Sequence, residues 1–156
     1  MAGDTLLVAI ATIAVAIAGF TAVTSTLSPP GGAWSPQMRL RQRAIVTTSF
    51  NVVFESLVPL IAFAWLGDER SAIVVASLGV AIYATGVVLY RGRQFLRTGG
   101  FRSPAVLIMF TAGPVATLLF WANVAVGSLA LFALALCIQL SIAVVSFYSL
   151  VSAASG

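Results

Sequence analysis

Residues 103–156 read SPAVLIMFTAGPVATLLFWANVAVGSLALFALALCIQLSIAVVSFYSLVSAASG, and none of them is charged. A bilayer crossing takes about 20 apolar residues, so this tract is long enough for two. Ser103-Pro104 opens it as a cap followed by proline at the first helical position. The segment 122–127 reads as its internal turn. The two apolar runs are 105–121 and 128–151. Gly113-Pro114 interrupts the first of them, which leaves a re-entrant hairpin as the alternative to a full span there.

The rest of the chain repeats the pattern. Of 156 residues, 60% are apolar and 8% are charged, and the mean hydropathy is +1.08. Soluble domains carry about a quarter charged residues, and disorder needs low hydrophobicity, so both are excluded. Three earlier apolar runs lie at 5–27, 44–66 and 71–90. The first has only Asp4 before it, with no basic leader, and reads as a membrane span rather than a signal peptide. Pro29-Pro30-Gly31-Gly32 ends it. Ser35-Pro36 begins the second helix, and Trp34 and Trp65 bracket that span as interfacial aromatics do. The expected fold is all-α: a polytopic bundle of five transmembrane helices in one domain, 1–156, or four plus a re-entrant hairpin.

All eight basic residues are arginines, and the net charge is +4. Arg39, Arg41 and Arg43 fall in the first loop region, and Arg91, Arg93, Arg97 and Arg102 in the third. The second loop holds Arg70 beside Asp68 and Glu69. By the positive-inside rule the first and third loops face the cytoplasm and the N-terminus lies outside. The arginines also suit anionic lipid heads. Positive charge placed between spans reports topology, so no nucleic-acid partner is expected. An all-arginine chain rich in Ala and Val suits a GC-rich prokaryote, which places the protein in the inner (plasma) membrane.

The chain has no histidine and one cysteine, Cys137. Histidine-based metal or haem ligation and Ser/His or Cys/His catalysis are therefore excluded. No cofactor is expected. An intramembrane aspartyl protease needs two carboxylates at depth, and only one is present. The expectation is that the protein is not an enzyme.

That one carboxylate, Glu55, falls at the centre of the second span, where an ionisable group costs about 2.5–3.5 kcal/mol or more. Thr47, Asn51, Glu55 and Pro59 recur every four residues along one face, with Thr48 beside it. Pro59 has no N–H to offer the Glu55 carbonyl. No basic residue lies in any span. Glu55 must then be a neutral acid, accept hydrogen bonds from Asn51, Tyr83, Asn123 or Gln139, or face water in a pore. The plainer role is structural, one carboxyl bonding two helices together. Tyr83, Asn123 and Gln139 read as polar packing residues. Small-residue stripes at Ala14, Ala18 and Ala22, at Ala72 and Ala76, and at Cys137 and Ser141 suit close helix contacts.

Several features resemble a group of small prokaryotic multi-span membrane proteins with no assigned activity. They are Trp34-Ser35-Pro36, Arg39 to Arg43, Thr48-Ser49, Phe54, Leu57-Val58-Pro59, Leu66-Gly67-Asp68-Glu69, Ser77 and Tyr83. The resemblance spans roughly 15–97 and implies a multi-span membrane protein. In that group an acidic residue often stands where this chain has Thr47, and Glu55 is not shared.

Two functions fit these residues. One is an oligomeric channel or transport component that uses Glu55, with the lipid bilayer and copies of the chain as partners. A five-span chain has little interior of its own, so several copies would enclose the path. The other is a non-catalytic accessory or scaffold subunit held against another membrane protein.

Overall fold

A computed structural model describes residues 1, 3–26, 36–98 and 104–154. Its elements are α1 (Asp4–Thr26), α2 (Pro36–Leu66), α3 (Glu69–Thr98), α4 (Pro104–Val126) and α5 (Leu129–Ala154). Four of them are long and apolar enough to cross a membrane, and the described apolar part of α4 runs over Thr111–Val126. The chain is a helical membrane bundle.

The helices begin where the sequence places proline: α2 at Pro36 and α4 at Pro104. Trp34, Ser35, Arg102, Ser103 and the glycine and proline runs at 29–32 and 99–100 lie outside the described residues. The side chains of Arg39, Arg41 and Arg97 also lie outside them. For α4 one alternative is set aside and one boundary is corrected. It runs unbroken through Gly113 and Pro114, so no re-entrant hairpin forms there. Its last turn continues to Val126 rather than giving way at residue 122.

The turns at the other end of the bundle are short, and the reason is chemical. Gly67 and Gly127 sit at φ 68° and 65°, the left-handed region that closes helices and that only glycine enters without strain. Each donates its N–H to a carbonyl of the turn before it, Gly67 to Phe63 at 2.9 Å and Gly127 to Asn123 at 2.7 Å. A cap for the next helix follows at once. The Ser71 N–H donates to Asp68 Oδ2 at 2.8 Å, and the Leu131 N–H to Ser128 Oγ at 3.4 Å.

The hydrogen bonds from Ser71, with Arg70 nearby, hold the Asp68 carboxyl below its ordinary acidity range. The folded group stays ionised at lower pH than the unfolded one. Its stabilisation is therefore complete above the ordinary carboxylate range and is lost as pH falls through it. Asp68→Ala is expected to melt below wild type at neutral pH. The gap should close in acid, as followed by circular dichroism in detergent.

Helix α1 packs on α2 and α5. Helices α2, α3, α4 and α5 form a closed ring of neighbours, with α2 against α5 and α3 against α4. Helices α2 and α4 stand at opposite corners. The half of the ring nearest the two glycine links is filled. There Phe120 meets Phe132 edge-on at 5.2 Å and 64°. Leu7, Ile10, Ile73, Val80 and Leu136 complete the core around them. Asn123 clasps the same end: its Nδ2 donates to Ser77 Oγ at 2.9 Å, and its Oδ1 accepts from the Ser128 N–H at 2.8 Å. The half nearest Arg43, Arg91 and Arg93, here the arginine end, is packed differently. Those three side chains are exposed, and a void opens between the helices beneath them.

Candidate functional site: a cavity around Glu55

The void is a cavity of about 240 Å³ enclosed by α2, α3, α4 and α5. Helix α2 contributes Thr48, Asn51 and Glu55 to its wall. Val87, Val88 and Arg91 come from α3, Gly113, Pro114 and Thr117 from α4, and Gln139 and Ile142 from α5. Its floor lies near the middle of the helices, where Glu55, Thr117 and Gln139 stand. Its mouth is at Arg91, which is exposed and stands about 12 Å along α3 from Tyr83.

Glu55 is buried, with 4% of its surface accessible. The Gln139 side chain is hydrogen-bonded to its carboxyl. The other carboxylate oxygen, Oε2, is buried without a partner, and so is the Oγ1 of Thr48, a residue 5% exposed. Buried polar groups in native folds are nearly always satisfied, and each orphan costs about 1–3 kcal/mol. Here two orphans line one void. Pro59 is fully buried one turn beyond Glu55 and withholds the N–H that would serve the Glu55 carbonyl. This stretch of α2 is thus short of hydrogen bonds in both its side chain and its backbone.

The sequence pattern placed four residues on the Glu55 face, and the structure separates them. Thr47 is exposed and Thr48 is buried in the cavity wall. Helix geometry explains the swap. At 100° per residue, Thr48 lies about 20° from the direction of Glu55 and Thr47 about 80°. Asn51 stays on the wall, and its Oδ1 accepts a hydrogen bond from Tyr83 Oη at 3.2 Å. Tyr83 is half-exposed and faces outward as well. Together with Thr47 and Tyr90 it lines a second, shallower groove on the α2–α3 surface. The Tyr83–Asn51 pair therefore stands between that groove and the cavity.

Of the expected partners for Glu55, Gln139 alone holds its side chain. Asn123 is spent on Ser77 and Ser128. Thr117 joins the site unforeseen, beside Gly113 and Pro114, the pair that the sequence marks as a break. Thr117 is buried and lines the cavity, and its Oγ1 donates to the Gly113 carbonyl at 2.9 Å. The glycine and proline in the sequence were the signal for it. The small-residue stripes divide as well. Ala14, Ala72 and Ala76 are buried contacts, whereas Cys137 and Ser141 are exposed. Among the described residues no cluster of His, Cys, Asp or Glu could hold a metal ion.

The enclosure belongs to one chain. The sequence suggested that a path past Glu55 would need several copies around an axis. Glu55 instead points into an interior that four helices of a single chain create. No family model, curated protein or solved structure matches this chain.

Proposed function

We propose that the protein is a membrane transport component that binds a small cation or proton at a mid-membrane carboxyl within a single chain. The observation that carries this reading is the Glu55 carboxylate on the floor of the cavity, with one oxygen paired to Gln139 and the other unpaired. The Glu55–Gln139 bond also joins α2 to α5, as a packing carboxyl does; the unpaired oxygen on the cavity wall is what supports binding over packing alone.

The packing favours a carrier over an open pore. The exposed residues lining the cavity are Tyr83 and Arg91, on the arginine-end half of α3, and the other half of the bundle is filled by Phe120, Phe132 and the Asn123 clasp. Cargo bound on Glu55 then leaves on the far side only if the helices rearrange. By the positive-inside rule the open mouth faces the cytoplasm of a prokaryotic cell. Copies of the chain can associate in the bilayer, but the cavity does not require it.

The test is flux into liposomes that contain the purified chain, with a pH-sensitive dye inside for protons and an ion-sensitive dye for sodium. Wild type is expected to exceed protein-free liposomes. Glu55→Gln is expected to fall by about tenfold or more, from the ~1.5–3 kcal/mol carried by a hydrogen bond to a charged group. Absence of Glu55-dependent flux of protons, sodium and a small organic ammonium alike, with both proteins folded, overturns the transport reading and returns the chain to the accessory role.

A further inference from the structure

We infer that the cavity takes a small linear ammonium compound with an apolar body and a second polar group, its ammonium on Glu55 and its polar tail at Thr48. This rests on the reading of Glu55 as a binding carboxyl and names the class of cargo.

Four observations select this class over an inorganic ion. The first is size. At about 240 Å³ the cavity is far larger than a bare ion needs, and it falls just below the ~300–1,000 Å³ typical of drug-sized ligands. The second is the wall. Ala84, Val87, Val88, Pro114 and Ile142 make most of it apolar, which suits a hydrocarbon body. The third is the donor set. Hard cations such as calcium take about 6–8 oxygens, whereas the floor offers a single carboxylate with one free oxygen. An ammonium needs only that pairing, because its N–H groups are satisfied by one charged acceptor and nearby amide or hydroxyl oxygens. The fourth is spacing. The second orphan, Thr48 Oγ1, lies two turns nearer the mouth, about 10 Å along the axis of α2. A hydroxyl or carbonyl at the far end of a short chain satisfies it.

Arg91 also lines the cavity. It is exposed and stands about 12 Å along α3 from Tyr83.

The test is calorimetric titration of the full chain in lipid nanodiscs with aminohexanol, hexylamine, tetramethylammonium and sodium. Aminohexanol is expected to bind saturably with one site per chain, hexylamine several-fold more weakly, and tetramethylammonium not at all. Glu55→Gln is expected to weaken both amines by tenfold or more. Thr48→Val is expected to weaken aminohexanol several-fold and leave hexylamine unchanged, a split that a folding defect would not produce. Melting curves of each variant confirm that it is folded. Failure of both amines to bind wild type, or equal binding to Glu55→Gln, overturns this inference. If the amines fail while Glu55-dependent proton or sodium flux persists, the inference falls and the transport reading stands. If both fail, so does that reading.

Discussion

Replacing Glu55 by leucine is expected to give a chain that melts a few degrees higher than wild type and transports nothing. The two effects share one origin. Glu55 is 4% exposed, and its Oε2 has no partner. Removing a buried unsatisfied oxygen recovers about 1–3 kcal/mol. Leucine nearly matches glutamate in volume and suits the apolar wall formed by Val87, Val88 and Ile142. Against this stands the lost bond from Gln139, and hydrogen bonds between membrane helices average about 0.6 kcal/mol. The balance is stabilising by roughly 1–2 kcal/mol, or about 2–8 °C for a chain of this size. The measurement pairs thermal melting in detergent with liposome flux. A marked fall in melting temperature would identify Glu55 as helix glue and remove the basis for a binding role. A gain in stability with loss of flux is the signature of a site kept at the expense of the fold.

Phe120→Ala is expected to be among the most destabilising single substitutions in the described core. Phe120 is fully buried and meets Phe132 edge-on. In soluble cores Phe→Ala costs about 3–5 kcal/mol, part of which is transfer of the ring out of water. In a bilayer that transfer term is small because lipid is as apolar as the core, so only the packing and cavity terms remain. The expected loss is therefore about 2–3 kcal/mol, read from unfolding in mixed detergent. Phe132→Ala should cost a similar amount, and the double variant should lose less than the sum, since the two rings share one contact. A loss below half a kcal/mol would mean that the filled half of the bundle is not the rigid half.

Much of the fold was legible because its signals are local. Proline at Pro36 and Pro104 marks helix starts, and Gly67-Asp68 and Gly127-Ser128 each combine a helix stop with the next helix cap. The extent of α4 was harder to read, because Gly113-Pro114 is a breaker in isolation and is tolerated here between α3 and α5. The site divided in the same way. The depth of Glu55 follows from counting residues along one span. The identity of its partner does not, because which of several polar residues reaches it depends on how α5 lies against α2. Asn123 was equally plausible by polarity, yet its position at the end of α4 commits it to the turn. Thr48 displaced Thr47 because a spacing of eight residues drifts well off a helical face and one of seven hardly at all.

The two-residue links have a consequence for how the protein reaches its membrane. Joined so tightly, and with the arginine loops held on the cytoplasmic side by the positive-inside rule, α2 with α3 and α4 with α5 would enter the bilayer as paired hairpins, each carrying its link across. The link at Gly127-Ser128 bears no charge and crosses at little cost, whereas the one at Gly67-Asp68 drags Asp68, Glu69 and Arg70 with it. The second hairpin therefore crosses at a lower cost than the first, and the cavity, which is lined from all four of these helices, needs both in place.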